Sequence, residues 1–349
     1  MGDDLLTTLR LEDREENILS SVIHYYVNSA KPVSSQAIAG QMGLSPATVR
    51  NVLMELEKKG YLTHPHTSAG RVPLNPAYRL YVDKLMQAKR LNLEEKRQIE
   101  RQYQVTRSEV EAVIRHTAKI LSAMTRLGGV ASFHVPEEIS LDHFKLVPID
   151  AKKLMVILVL DHGLVKEELV RLDAAVSFKE ISQITQLLNH RFGGKSLSDL
   201  RAMLLKEAET MKKTRLSIVE STLRLIEEAL DFGSSQVQLE GATHLGEQPE
   251  FQDSEKMERL LRIVEQKALL ARVMNRFPEP GCLAVQIGPE IPEEALRDFS
   301  LVRIPFAWEG RVVGSLGVLG PTRMDYERVV SLVSHLAQTL KENLGRLEP

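Results

Sequence analysis

The chain has 349 residues, of which 43% are hydrophobic and 26% charged, with a formal net charge of −2. This composition is typical of a globular protein with two or three domains and excludes a disordered or collagen-like chain. The single cysteine, Cys282, excludes an intrachain disulfide scaffold and a Cys-ligated metal cluster. The longest apolar run, residues 154–160, is far shorter than the ~20 residues of a membrane span. The acidic N-terminus lacks the pattern of a secretion signal, so we expect a cytoplasmic protein.

Charge is distributed unevenly along the chain. Residues 27–90 carry nine basic and three acidic side chains, a net charge of +6, so the remainder of the chain carries −8. A compact basic segment in an otherwise acidic chain is the distribution expected of a nucleic-acid-binding module. A solvated surface without a partner would give the same pattern, so charge alone leaves both interpretations open.

Three helices are predicted near the N-terminus, at residues 14–28, 35–41 and 46–59. Pro32 ends the first helix, and Ser34 is expected to cap the second. Ser45 and Pro46 form the N-cap and first position of the third helix, which ends at Gly60. A strand at residues 61–63, a polar turn and a returning strand at 71–73 follow. Three helices and a two-stranded hairpin predict a winged helix-turn-helix domain.

Helices are predicted next at residues 78–89, 92–104 and 110–124, and a mixture of strands and helices follows. The predicted strands are residues 130–134, 143–149, 154–160, 164–172, 237–239, 282–287, 300–308 and 311–319. The predicted helices are residues 178–192, 198–213, 216–230, 254–276 and 324–344, with Thr322 as the N-cap of the last. A sheet interrupted by a block of three helices suggests a domain inserted into an α/β sensor-like domain.

This pattern predicts an α+β multidomain chain with a mainly helical insertion. The predicted divisions are 1–105 for the winged helix-turn-helix domain and its connector helix, 106–175 and 250–349 for the two parts of the sensor-like domain, and 176–249 for the insertion. The insertion carries more apolar side chains than a small helical unit buries easily, which favours a homodimer interface over burial against the sheet. These side chains are Leu187, Leu188, Leu204, Leu205, Leu223, Leu225, Ile226 and Leu230.

The third helix has two different faces when its residues are placed at 100° intervals. The predicted inner face comprises Val49, Val52, Leu53 and Leu56. The opposite face comprises Ala47, Asn51, Met54 and Lys58, flanked by Thr48 and Arg50. Such a helix fits the major groove, where Arg50 could contact guanine or phosphate and Asn51 could pair with adenine. Ser45 and Thr48 suit a phosphate oxygen at the start of the helix.

The turn after the third helix is rich in hydrogen-bond donors and poor in apolar anchors. This composition suits a wing that contacts phosphates or a minor groove, although a solvated turn would have a similar composition. Zinc binding by His64 and His66 is a weaker interpretation, because no cysteine or acidic residue lies nearby in sequence. The candidate DNA-binding residues are Ser34, Ser35, Ser45, Ala47, Thr48, Arg50, Asn51, His64, His66, Thr67, Ser68 and Arg71.

Several segments together resemble the HrcA family of heat-inducible transcription repressors. They are SPATVRN at residues 45–51, LEKKGYL at 56–62, PHTSAGRVP at 65–73, YRLYVD at 78–83 and GPTRMDY at 320–326. The resemblance extends over nearly the whole chain and departs from the family pattern at residues 74–77. It implies a dimeric repressor that binds an inverted-repeat operator upstream of chaperone operons. It also implies a GAF-like body with an inserted dimerisation domain, and the chaperonin GroEL as the partner that keeps the repressor active.

Other functional classes have less support in the sequence. A ligand-sensing regulator with the same winged helix is the main alternative, and a scaffold that binds only proteins is the second. Gly314, Gly317 and Gly320 lack the Lys-Ser/Thr of a phosphate-binding loop and fit a strand and its exit turn. Neither a metalloprotease motif nor a nucleophile elbow is present. We therefore predict no enzyme activity, no cofactor and no metal site.

Overall fold

The computed structural model describes residues 11–65, 70–103, 110–133, 140–150, 152–161, 165–172, 175, 177–208, 236–275, 282–308 and 311–345. The helices are α1 (Asp13–Ser29), α2 (Ser35–Met42), α3 (Pro46–Lys58), α4 (Asn75–Leu80), α5 (Leu93–Tyr103), α6 (Val110–Thr125), α7 (Phe178–Phe192), α8 (Leu197–Ala208), α9 (Ala242–Gly246), α10 (Ser254–Glu265), α11 (Lys267–Met274) and α12 (Tyr326–Leu344). The strands are β1 (Leu62–Thr63), β2 (Val72–Pro73), β3 (Gly128–Phe133), β4 (Leu141–Asp150), β5 (Lys153–Leu160), β6 (Val165–Arg171), β7 (Gln236–Glu240), β8 (Ala284–Ile287), β9 (Phe299–Trp308) and β10 (Arg311–Pro321).

Helices α1 to α3 and the antiparallel pair β1–β2 form the predicted winged helix-turn-helix domain. The caps are those expected from the sequence. The Ser34 hydroxyl accepts a hydrogen bond from the Ala37 N–H at 3.2 Å, and the Ser45 hydroxyl accepts one from the Thr48 N–H at 3.1 Å. Gly60 adopts a left-handed φ of +78° just beyond α3, a conformation that favours glycine. Local capping chemistry therefore fixes the ends of α2 and α3.

Three predicted helices differ from the structure. The helix expected at residues 78–89 begins at Asn75, because Pro76 fits the first turn, and it ends in a π-helical turn at Tyr81–Leu85. The helix expected at 254–276 is broken at Gln266, where φ is −99° and ψ is 66°. The last helix is capped by Asp325 rather than Thr322, since the Asp325 carboxylate accepts from the Arg328 N–H at 3.1 Å.

The body contains a five-stranded sheet in the order β7-β3-β10-β9-β8, in which every neighbouring pair is antiparallel. Helices α6 and α12 pack against this sheet and against each other. The approach of α6 to β3 is close at Gly129, where an added Cβ would lie 1.9 Å from the carbonyl oxygen of Ala118. Glycine at this position therefore allows the helix to pack directly on the strand.

Strands β4, β5 and β6 form a separate antiparallel sheet, which lies in the chain between β3 and β7. Burial alternates along β5, whose inward side chains at Leu154, Val156 and Leu158 are fully buried. Helix α7 packs against β4. Two of the three helices predicted in the insertion are observed as α7 and α8, and the third, at residues 216–230, lies outside the described residues.

Within the described ranges, none of the helices has the length and apolar character needed to cross a membrane.

Candidate nucleic-acid interface

Helix α3 presents a polar surface that no other part of the domain covers. Its inner residues Val49, Leu53 and Leu56 are fully buried in the domain core, and Val52 is half-buried. The opposite face is exposed along the length of the helix, as its sequence predicts. The exposed residues on this side are Ala47, Arg50, Asn51, Met54 and Lys58. The burial of one face thus leaves a guanidinium, an amide and a thioether side chain together on the outside.

The first turn of α3 is held by two hydroxyl groups. The Ser45 hydroxyl caps the Thr48 N–H and also lies 2.8 Å from the Thr48 hydroxyl. Ser45 is exposed and Thr48 is half-buried, and no acidic residue occurs in this turn. Helix N-termini attract anions because their backbone N–H groups point outward and the helix dipole is positive there. The start of α3 is therefore suited to a phosphate group.

The start of α2 has a similar but shorter arrangement. Ser34 is exposed and caps the helix, while Ser35 is half-buried in its first turn. A bridge between Val33 and Arg71 connects this segment to the wing: each residue donates its backbone N–H to the carbonyl of the other, at 2.8 and 2.9 Å. The segment before α2 and the base of the wing are thus joined directly.

His64 and Arg71, two of the wing residues predicted to contact DNA, are both bonded to Glu57 on α3. The His64 Nδ1 atom lies 2.5 Å from Glu57 Oε1, and the Arg71 Nε–H donates to Glu57 Oε2 at 3.2 Å. A second Arg71 nitrogen lies 3.1 Å from Glu57 Oε2, and the Arg71 side chain is only 12% exposed. His66, Thr67 and Ser68, also predicted to contact DNA, lie outside the described residues. In the described part of the wing, the side chains of His64 and Arg71 therefore face the protein.

The electrostatics of Glu57 agree with this arrangement. Burial alone would raise the pKa of its carboxyl group, but the His64 hydrogen bond and the charge of Arg71 outweigh burial and lower that pKa below its ordinary value of 4.5. Glu57 is therefore ionised near neutral pH and holds its two partners as an anion. Sequence reasoning missed this residue because its partners lie in the wing, beyond the end of α3, where helical periodicity does not say which side chains meet.

The winged-helix domain is also bonded to the body of the protein. Arg79 on α4 forms an ion pair with Glu290 and donates to the carbonyl of Val285 at 2.7 Å. Arg323, just before α12, donates to the carbonyl of Val27 on α1 at 2.5 Å and pairs with Glu250. Arg79 belongs to the YRLYVD segment and Arg323 to the GPTRMDY segment. Residues from two of the segments that resemble the family therefore join the winged-helix domain to the body.

Among the described residues, no group of three or more His, Cys, Asp or Glu side chains is placed to hold a metal ion. The remaining polar surface of the site consists of hydroxyl, amide and guanidinium groups around α3. A helix with a polar outer face, capped by serine and followed by a wing, is the geometry with which winged-helix proteins enter a DNA groove. The fold and the site thus define a DNA-binding winged-helix protein.

Comparison with known proteins defines the family. Residues 10–83 match the family "Winged helix-turn-helix transcription repressor, HrcA DNA-binding", and residues 111–330 match "HrcA protein C terminal domain". The "Heat-inducible transcription repressor HrcA" of Pelotomaculum thermopropionicum is 35% identical over 97% of this chain and 98% of its own length. The protein of the same name from Shouchella clausii is 36% identical over 97% and 99%. The chain belongs to the HrcA family of heat-inducible transcription repressors, which are DNA-binding regulators and not a class of enzyme.

A solved structure described as a "hypothetical protein" is similar over 97% of this chain and 98% of its own, with a TM-score of 0.65 and 22% sequence identity. This similarity supports the fold of the whole chain, with helices and sheets mixed in the same way, and says nothing further about its activity.

Proposed function

We propose that this protein binds an inverted-repeat operator as a dimer and represses chaperone operons, with α3 in the major groove of each half-site. The observation that carries the proposal is the exposed outer face of α3, on which Arg50, Asn51 and Met54 lie side by side. Arg50 suits a guanine edge and Asn51 an adenine edge, and Met54 offers an apolar contact for a thymine methyl group. A dimer would present two such faces to two half-sites.

We divide the remaining predicted residues into two groups, those at the starts of α2 and α3, which we assign to contacts with the sugar-phosphate backbone, and those of the wing. Ser45, Ala47 and Thr48 belong to the first turn of α3, and Ser34 and Ser35 to the start of α2, where small side chains allow a phosphate to approach. His64, His66, Thr67, Ser68 and Arg71 make up the wing. In this assignment α3 reads the sequence, and the other residues fix the position of the domain on the duplex.

The support for a dimer comes from the sheet β4-β5-β6. Its inner face is buried, whereas Val165 and Leu169 on its outer face are 51% and 52% exposed. The apolar side chains on this outer face are Val147, Met155, Ile157, Val159, Val165 and Leu169. Apolar side chains grouped on an exposed sheet face, with charged ones such as Lys145 and Glu167 among them, are typical of a protein-protein interface. We infer that a second copy of the chain covers it, in addition to any contribution from the insertion helices.

We also propose the division of the chain into four parts: 1–105 as the winged-helix domain with its connector, two parts of a GAF-like domain, and an inserted dimerisation domain. The pairing of the strands favours one change to the predicted bounds. Because β4, β5 and β6 pair only with one another among the described strands, the insertion is better begun near Ser140 than at residue 176. The insertion would then contain a sheet as well as helices.

Regulation by the chaperonin GroEL is proposed from the family resemblance. On this view chaperonin keeps the repressor active, and unfolded proteins that occupy chaperonin during heat stress release the operon from repression. A small-molecule ligand is the alternative regulator. The observation that favours the alternative is a cavity of about 240 Å³ between the ends of β9 and β10 and helix α12, whose lining includes Phe306, Val312 and Lys341.

The test of the proposed function is fluorescence anisotropy with a labelled inverted-repeat duplex from a chaperone operon and a scrambled duplex of the same composition. Both duplexes are titrated at two salt concentrations, with and without chaperonin. We expect selective binding of the inverted repeat that chaperonin strengthens. Selective binding that is indifferent to chaperonin would favour the ligand-sensing alternative. Equal binding of both duplexes by folded protein would contradict operator recognition.

A further inference from the structure

Glu57 is an acidic residue in a segment that the charge pattern marks as basic. Removal of an acidic side chain from a DNA-binding domain normally strengthens binding, because the phosphates repel it. Glu57 lies in the last turn of α3 and accepts hydrogen bonds on both carboxylate oxygens, one from each end of the wing. These contacts indicate that Glu57 has a structural role in the domain and does not simply repel DNA.

The hairpin that supports the wing is too short to fix its own direction. Strands β1 and β2 have two residues each, with Leu62 opposite Pro73 and Thr63 opposite Val72. An isolated pair of strands of this length is at best marginally stable. The direction of the wing relative to α3 must therefore come from contacts outside the hairpin. Packing of β1 on α3 and of β2 on α1 holds the base of the hairpin, while the Val33–Arg71 bridge and the two contacts of Glu57 act where the wing begins and ends.

Arg71 is restrained at both its backbone and its side chain. Its backbone exchanges two hydrogen bonds with Val33, and its guanidinium is held by Glu57 and mostly buried. The approach to Val33 is so close that a Cβ on the preceding Gly70 would lie 2.4 Å from the Val33 carbonyl oxygen. A side chain restrained in this way has few donors left for a phosphate group.

We propose that Glu57 positions the wing for DNA, and that Arg71 acts as its partner in this role rather than as a phosphate contact. The carboxylate joins the end of the recognition helix to both ends of the wing, so α3 and the wing approach the duplex at a fixed angle. This inference rests on the proposed function, because it concerns how the same surface recognises an operator. It gives an acidic residue a favourable role in binding an anionic ligand.

The experiment measures binding of the inverted-repeat and scrambled duplexes by the full-length wild type, Glu57→Gln, Arg71→Gln and the double variant. Glu55→Gln is the matched control, because Glu55 lies on the same helix, is exposed and pairs only locally with Lys58. We expect Glu57→Gln, which keeps one acceptor oxygen but removes the charge, to weaken operator binding about fivefold, the size of effect of one ordinary hydrogen bond. Glu55→Gln should leave binding unchanged or strengthen it.

The double variant and the salt dependence separate positioning from direct contact. If Glu57 and Arg71 act together, the double variant binds the operator as well as either single variant, and Arg71→Gln leaves the salt dependence unchanged. If Arg71 contacts phosphate, its loss reduces the slope of log K against log salt by about one, and Glu57→Gln binds more tightly than wild type. The second result would overturn the proposal, as would equal affinities for Glu57→Gln and Glu55→Gln.

Two controls distinguish a displaced wing from unfolding of the variant and from failure of the proposed function. Each variant is assayed below its own thermal unfolding midpoint, so that loss of folded protein is not mistaken for a displaced wing. If the wild type itself fails to distinguish the two duplexes, the proposed function fails. If the wild type is selective and Glu57→Gln retains full affinity, only the positioning role of Glu57 fails.

Discussion

Tyr81 donates a hydrogen bond to the carboxylate of Glu327 at 2.6 Å, across 246 positions of sequence. The two residues join the helical turn that follows the winged helix to the last helix of the body. His24 on α1 completes the group, with its Nε2 atom 2.5 Å from the Tyr81 hydroxyl and 3.3 Å from Glu327. Lys89 lies 3.4 Å from the second carboxylate oxygen. The largely buried Glu327 carboxylate therefore acts with the contacts of Arg79 and Arg323 to hold the DNA-binding domain on the body.

Tyr81→Phe should lower the stability of the protein because it removes the donor and leaves the Glu327 carboxylate with fewer partners. We expect a loss of about 1–3 kcal/mol in the free energy of unfolding, which is the usual cost of an unsatisfied buried group. Thermal unfolding followed by circular dichroism measures the change. Tyr25→Phe on α1 is the control, since Tyr25 is 40% exposed. Equal midpoints for the two variants would contradict the role of the Tyr81 hydroxyl.

Glu327 should also make the stability of the protein depend on pH in the acid range. Burial raises the pKa of this carboxyl group, but hydrogen bonds from Tyr81 and His24 and contact with Lys89 outweigh it, so the pKa lies below 4.5. A lowered pKa in the folded state stabilises the protein above pH 4.5, and that contribution is lost as the pH falls through the lowered pKa. Glu327→Gln should therefore show a shallower loss of unfolding midpoint below pH 4.5 than wild type. If the unfolding midpoints of Glu327→Gln and wild type fall equally as the pH is lowered, Glu327 does not contribute to the acid dependence of stability.

Two glycines near the site should respond in opposite directions to alanine. Gly70→Ala places a Cβ against the backbone of Val33 and should destabilise the protein by about 1–3 kcal/mol. Gly40→Ala adds a Cβ within α2, where no atom lies within 4 Å, and should stabilise the protein by up to about 1 kcal/mol. Thermal midpoints of the two variants provide the comparison. A shift in the same direction for both would contradict the close approach of the wing to Val33.

Arg50→Ala should reduce the specificity of DNA binding as well as its strength. If Arg50 contacts a base, we expect a loss of about 1–3 kcal/mol on the operator and a relaxed preference at one base pair. Competition binding with single-base operator variants measures both effects. Lys58→Ala, which removes an exposed cation near the other end of α3, should weaken all duplexes about equally. The same unselective loss for Arg50→Ala would assign Arg50 to the phosphate backbone.

Leu169→Glu should convert the proposed dimer to monomer. The substitution places a carboxylate on edge strand β6, beside Met155 of β5 on the outer face of the sheet, where a second copy would have to bury it. Sedimentation velocity at several protein concentrations gives the mass. Leu261→Glu is the matched control, because Leu261 is 54% exposed on α10, away from this sheet. A dimer that survives Leu169→Glu would place the interface elsewhere.

The sequence predicted the DNA-binding domain closely because its signals are local. The Ser34 and Ser45 caps act on N–H groups three residues away, and Gly60 meets a conformational requirement of its own backbone. The two faces of α3 follow from helical periodicity alone. The break at Gln266 has no comparable signal, because neither glycine nor proline occurs there and apolar periodicity continues on both sides.

The sequence could not predict in the same way which strands pair with one another in a sheet. The strand at residues 154–160 was predicted, and in the structure burial alternates along β5 and shows which side chains face inward. Such alternation carries no information about which strands are neighbours, since every half-buried strand has the same period. The sequence therefore grouped residues 143–172 with the body, whereas the structure gives them a separate sheet.

By itself the sequence determined the three helices, their ends and the exposed face of α3, and through its motifs the family. Only the tertiary structure decided that His64 and Arg71 turn toward Glu57 and that Tyr81 reaches Glu327. The physical reason is that capping and periodicity depend on residues within one helical turn. The partner of a charged side chain depends instead on where another charge lies in space, and in this chain the deciding carboxylates come from a different element.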